Sequence, residues 1–306
     1  MKKTIILLAA LLVLAACSAD NGVDATATFI GGTQGLKVDF VDNFPPQTVS
    51  DRGQDTFQVI LELTNKGEAE ILAEDVQVRL TGFSPSLFGT TLESLTMNAP
   101  ETIEANIMNP DGSIVSSLPV EIEFVEFAYQ EAVQGTQQFP IRADMCYKYQ
   151  TRIVSTLCVK EDFRRDQQGD ICQVTSTRNA ANSAAPIQVT NIRQTAASSD
   201  RTRFTLTVQN RDGGKVFQDG SLCSTESRQE DRVLMTINGL DDVDCRGLRD
   251  GTGNSGYLTL GSEGSAEIVC DAGFVERNER IQPFEIILDY DYEERIQKQI
   301  SIERSD

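Results

Sequence analysis

The stretch Phe57-Gln58-Val59-Ile60-Leu61-Glu62-Leu63-Thr64 constrains the fold of this chain more than any other. Phe57, Val59, Leu61 and Leu63 fall on one face of an extended strand, and Gln58, Ile60, Glu62 and Thr64 on the other. The run ends at Asn65-Lys66-Gly67, a turn-forming set. The same period of two recurs at Leu36, Val38 and Phe40, at Val76, Val78 and Leu80, and at Val120, Ile122 and Phe124. Such strands, separated by Gly, Pro and Asn, predict antiparallel sheets with one buried face, and hence a sandwich. Only the segment 86–97 reads as a short helical turn.

The pattern then repeats. Phe204, Leu206, Val208 and Asn210 follow Val59, Leu61, Leu63 and Asn65 at an offset of 145. Tyr290, Tyr292, Arg295 and Ile296 follow Tyr147, Tyr149, Arg152 and Ile153 at an offset of 143. Two matches in one order at nearly one offset predict a tandem duplication. The expected fold is all-β, with two tandem immunoglobulin-like antiparallel β-sandwich domains at 25–165 and 183–306. The small, polar stretch 166–182 between them is expected to be a linker. Each unit is longer than a bare sandwich of about 100 residues, and the surplus falls in 82–118 and 211–256.

The N-terminus points to an envelope location. Met1-Lys2-Lys3 is cationic, and Thr4 to Leu14 is apolar but too short to span a bilayer as a helix. Leu14-Ala15-Ala16-Cys17 resembles the lipobox of lipoprotein signal peptides. The resemblance implies that residues 1–16 are removed and that Cys17 carries a lipid. Residues 17–24 then form a flexible tether to the membrane. It also accounts for the odd number of cysteines: with Cys17 acylated, six of the seven are left to pair.

Cys146 and Cys158 flank 147–157, whose midpoint is Arg152. A hairpin centred there would bring the two cysteines within disulfide reach. Cys245 and Cys270 bracket a Gly-rich segment and form a second expected pair, which leaves Cys172 with Cys223. A zinc site would want a C-x2-C spacing, which the chain lacks. Asp241, Asp242, Asp244 and Asp250 gather oxygen donors of the kind Ca2+ takes, with a solvated acidic turn as the alternative. Tyr147/Tyr149 and Tyr290/Tyr292 read either as an aromatic platform for glycans or as packing across a sheet.

Twenty-seven Lys and Arg against 46 Asp and Glu give a formal charge of −19, which repels nucleic acid and anionic headgroups. The chain has no histidine, and so lacks the commonest general base. It also carries no nucleophile elbow, P-loop or dinucleotide fingerprint. The segments 28–46 (TFIGGTQGLKVDFVDNFPP), 57–68 (FQVILELTNKGE) and Cys146 to Cys158 resemble uncharacterised archaeal surface lipoproteins with immunoglobulin-like repeats. Leu63-Thr64-Asn65-Lys66-Gly67-Glu68 is similar to the strand and turn of CARDB-type adhesion-associated domains. The resemblance implies a fold and no assigned activity.

The expected function is non-enzymatic and without cofactor. The protein would be anchored outside the cytoplasm by a lipid on Cys17, and would bind another envelope protein or a polysaccharide. The alternatives are a structural subunit of a pilus or coat, and an accessory module of a carboxylate-based hydrolase.

Overall fold

The computed structural model describes residues 29–305 except 225 and 227. The expected leader, the tether and Cys17 lie outside the described residues. Ten principal strands carry the fold. They are β1 (Leu36–Phe40), β2 (Phe57–Asn65), β3 (Val76–Thr81), β4 (Val120–Phe127), β5 (Thr136–Val159), β6 (Ile187–Ala196), β7 (Arg201–Asn210), β8 (Arg232–Asn238), β9 (Ser265–Gly273) and β10 (Arg280–Glu303). The chain is all-β, and the segment expected as a helical turn contains two 3-10 turns, Pro85–Phe88 and Glu93–Leu95.

β5 and β10 form the spine. They pair antiparallel along 24 residues each, from Thr136 opposite Glu303 to Val159 opposite Arg280. β3 adds to the outer edge of β5 and β8 to that of β10, giving a central order of β8-β10-β5-β3. One smaller sheet has the order β1-β2-β4, and another has β6-β7-β9 at its centre. Among the described strands Thr48–Ser50 departs from the antiparallel rule, lying parallel to the end of β10.

Side-chain alternation explains the layering. In β7 the residues Thr202, Phe204, Leu206 and Val208 are buried, and their neighbours are half exposed. In β4 the buried set is Val120, Ile122 and Phe124, with Glu121 and Glu123 in water. The apolar faces meet the central sheet in one contiguous core that includes Leu61, Phe124, Ile153, Phe204 and Ile286. Both long strands contain a proline, Pro140 and Pro283, again 143 apart. On β5 even-numbered residues turn their main chain away from β10, because Arg152 O accepts from Ser183 N and Cys158 N donates to Gln194 Oε1. On β10 the odd-numbered residues do so, as Ser301 N donating to Gln47 O shows. Neither proline therefore removes a bond of the β5–β10 ladder.

Two sequence expectations are corrected here. The end of the segment 166–182 is built into the sheets: Ser176–Arg178 pairs with β6, and Ala181–Asn182 with β5. The hairpin about Arg152 does not form. β5 runs straight through, and Arg152 faces Ile287 of β10. Gln150, Thr151, Arg152 and Ile153 supply none of the glycine or asparagine chemistry a tight hairpin needs, whereas β10 offers a partner at every position.

Cys146 and Cys158 thus lie twelve positions apart on one strand, about 40 Å at the usual rise. Cys146 bonds Cys223 with Cα atoms 5.9 Å apart, and Cys158 bonds Cys172 at 5.6 Å. The expected Cys146–Cys158 and Cys172–Cys223 pairs are therefore replaced. The Cys245–Cys270 bond is present, its residues directly opposite in the register of β9 and the strand Asp242–Arg246.

Candidate functional site

Two clefts flank the spine. The first, of about 650 Å3, is walled by Phe29, by Glu68 and Ala69 beyond β2, and by the segment Ala105 to Gly112. Gln150 and Arg152 of β5, with Ser183, complete the lining. Its polar groups are committed to structure. Glu68 Oε1 accepts from Ile30 N at 2.9 Å, while Oε2 accepts from Gly31 N at 3.3 Å and Ala184 N at 2.8 Å. One carboxylate thereby ties the start of the described chain to the start of the second half. Arg152 Nη2 lies 2.6 Å from Glu285 Oε1, and Gln150 Nε2 donates to Asp289 Oδ1 at 2.7 Å. Asn106 donates to Asn65 O at 3.1 Å and accepts from Ser117 N at 2.8 Å.

The second cleft, of about 460 Å3, lies between Lys37 and Asp39 of β1, the turn Asp212 to Lys215, and Glu293 to Ile296 of β10. Two of its lining residues, Glu293 and Arg295, lie 143 positions beyond Gln150 and Arg152 of the first cleft. Its electrostatics differ. Burial, and then the neighbouring Asp212 carboxyl, push Glu294 up to about 8, and burial raises Asp212 as well. At neutral pH the two carboxyls hold a proton between them, because two bare charges in a half-buried site repel. Two other charges of the cleft have close partners. Lys37 Nζ is 2.7 Å from Asp39 Oδ2, and Arg295 pairs with Asp144.

The turns that frame the clefts have one design. Asn65 Nδ2 donates to Ala69 O at 2.7 Å, and its Oδ1 accepts from Gly67 N. Asn210 Nδ2 donates to Gly214 O at 2.7 Å, and its Oδ1 accepts from Asp212 N. These are Asx turns that end a strand.

The four tyrosines are packing residues. Tyr147, Tyr149, Tyr290 and Tyr292 are all buried, with neighbouring rings 5.7 to 6.4 Å apart. Each hydroxyl is spent on backbone. Tyr147 Oη accepts from Leu36 N, Tyr290 Oη from Ile187 N and Tyr292 Oη from Gly214 N, while Tyr149 Oη donates to Ala184 O. A glycan platform would require exposed ring faces.

The four aspartates proposed for Ca2+ do not converge. Asp242 pairs with Arg201 at 2.5 Å, Asp250 pairs with Arg232 at 2.7 Å, and Asp241 accepts from Val275 N. Among the described residues no group of three or more His, Cys, Asp or Glu is placed to hold a metal ion. The acidic positions singled out by clustering in the sequence thus proved peripheral. Glu68 and Glu294, which shape the clefts, take their roles from tertiary neighbours that the sequence does not display. Only the position of Glu68 directly after the Asn-Lys-Gly turn was a usable signal.

No family model matches the chain, and no curated protein does. Three solved structures illustrate the distant likenesses. An envelope protein, VP37, of White Spot Syndrome Virus is 10% identical over 48% of this chain and 98% of its own, with a TM-score of 0.20. The secreted serine protease VesC of Vibrio cholerae is 11% identical over 84% of this chain and 50% of its own, at 0.19. The serine-rich repeat adhesion glycoprotein Srr1 of Streptococcus agalactiae is 8% identical over 89% of this chain and 97% of its own, at 0.18. Likenesses this distant carry no argument about function.

Proposed function

We propose that this is a lipid-anchored, extracytoplasmic surface protein without enzymatic activity, whose rigid β body binds another envelope protein or a polysaccharide. The observation that carries the reading is the set of three disulfides, Cys146–Cys223, Cys158–Cys172 and Cys245–Cys270. Bonds of this kind form and persist in oxidising compartments. They agree with the leader-like N-terminus and leave Cys17 as the cysteine for acylation.

The body is built as two copies of one unit, β1 to β5 and β6 to β10, which share the β5–β10 spine rather than hang on a flexible linker. Matching Asn turns and matching tyrosine contacts support the duplication. A spine that joins both halves along its whole length favours a stiff support over a hinged one. Ionisable groups that are paired or clamped by backbone, as Glu68 and Arg152 are, suit presentation of a surface rather than turnover.

The test has two arms. Changing Cys17 to Ser should release the protein from membranes or stall its processing. Native protein should retain a specific envelope protein or glycan in pull-down and glycan-array experiments. A C17S variant that is processed normally and stays in the membrane would rule out the anchor.

One observation favours a second reading, a structural subunit. Among the described residues β10 has no strand partner on its outer side across 294–300, between Glu293, paired with Lys215, and Ser301, paired with Thr48. An open edge of this length accepts an added strand. Sedimentation of the tether-free protein separates the readings: a monomer at all concentrations favours the binder, and concentration-dependent polymers favour the subunit.

A further inference from the structure

Four exposed aliphatic side chains crowd into twelve residues. Ile107 is 60% exposed, Ile114 52%, Val115 53% and Leu118 83%. Ile107 pairs with Val115, and Met108 with Ile114, in a two-stranded hairpin outside the larger sheets. Clustered aliphatic surface of this kind marks a contact surface. From Ala105 to Leu118 the one ionisable residue is Asp111, at the tip. Its carboxylate accepts from Ser113 N at 2.9 Å and from Ser113 Oγ at 2.7 Å. The turn itself therefore supplies much of the solvation this charge needs.

The place where the described chain starts bears on what the hairpin meets. Phe29 lines the same cleft as Ile107, Met108 and Pro110, and Glu68 clamps Ile30 and Gly31 next to it. Cys17 precedes Phe29 by twelve residues, a reach of at most about 40 Å. A lipid on Cys17 therefore has the cleft that the hairpin lines within its reach.

We propose that the hairpin 107–118 rests in the membrane interface and that its partner is lipid with neutral, zwitterionic headgroups. The aliphatic side chains reach the headgroup–acyl boundary, about 5–10 Å deep, and Asp111 stays at the headgroup level. The segment carries no Lys or Arg to attract anionic lipid, and the net charge of −19 opposes it. Contact through the hairpin fixes the orientation of a body that a tether alone would leave free to turn. The proposal takes Cys17 as the point of attachment, as the functional reading does, and adds a second contact to it.

The sequence contains no tryptophan, so L118W introduces a single reporter. The chain from Cys17 onward is coupled through that thiol to a maleimide lipid in phosphatidylcholine vesicles. The other six cysteines are bonded to one another. The indole of L118W should emit to the blue and be quenched by bromine on the upper acyl chains. V275W, at an 88% exposed site following β9, should emit as in water and escape quenching.

I107W serves as a second reporter, and thermal melts confirm folding of each variant. Water-like emission from both hairpin variants overturns the proposal. So does a shift seen in native membranes and absent from protein-free vesicles, which would assign the hairpin to a protein partner. The chemical coupling supplies the lipid by itself. A failure of the C17S fractionation experiment therefore leaves this result interpretable.

Discussion

Lys148 and Asp291 stand opposite each other in the register of β5 and β10, and they are 143 residues apart. The same separation relates Tyr147 to Tyr290 and Tyr149 to Tyr292. On either side of Lys148, Tyr147 faces Tyr292 and Tyr149 faces Tyr290, so each tyrosine meets the counterpart of its neighbour. Under the proposed duplication, this register puts a local twofold axis between Lys148 and Asp291.

Equivalent substitutions across that axis should then cost similar amounts. Tyr147→Phe leaves the buried Leu36 N–H without its acceptor, and Tyr290→Phe does the same to Ile187. Each should lower the unfolding free energy by about 1–3 kcal/mol. Tyr290→Phe should cost the more, because Tyr290 Oη also lies 2.9 Å from Thr151 Oγ1. Urea titrations of the two variants measure this. A loss at one site with none at the other would count against equivalence.

Gly67 is required by a close approach. A Cβ there would lie 1.7 Å from Tyr149 Oη and 2.6 Å from Ala184 O. Gly67→Ala should therefore displace the tyrosine from Ala184 and cost about 1–3 kcal/mol through overpacking. Adding Tyr149→Phe removes the offending oxygen and should recover part of the loss. A melting curve of the double variant no higher than that of the single would refute this account of the glycine.

Non-reducing peptide mapping should find Cys158 joined to Cys172 and Cys146 to Cys223. The second bond links β5 to the loop before β8, closing a chain separation of 77 against 14 for the first. Chain-entropy arguments give the longer loop the larger effect, and loss of a native disulfide typically costs about 2–5 kcal/mol. Cys146→Ser with Cys223→Ser should lower the melting temperature more than Cys158→Ser with Cys172→Ser.

Glu294 sets a pH dependence at the second cleft. Its folded value, about 8, lies above its ordinary value of 4.5, so between these limits the folded state holds a proton that the unfolded state releases. Stability from this group is fully present below about 4.5, declines as pH rises and is lost once pH passes about 8. Glu294→Gln should flatten the melting temperature across that window. An unchanged slope in Glu294→Gln would show that another group is responsible.

The sequence by itself determined the class of structure and most of the strands. The alternation in Phe57 to Thr64 and in Phe204 to Val208 sets one mainly apolar face against a mainly polar one, and a sheet with the apolar face buried satisfies it. It also marked the repeated turns at Asn65 and Asn210, because an asparagine that caps its own turn acts within five residues. Partnership over long distances was another matter. Tyr147 to Leu157 looked like a hairpin because both arms alternate, but alternation is the same in two short strands and in one long one. The choice lay with β10, which matches β5 residue for residue and thereby holds Cys146 and Cys158 twelve positions apart along one strand. The roles of Glu68 and Glu294 were likewise decided by tertiary contact. A carboxylate is a backbone clamp or a proton holder according to what packs beside it, and those neighbours come from segments 37 to 116 residues away.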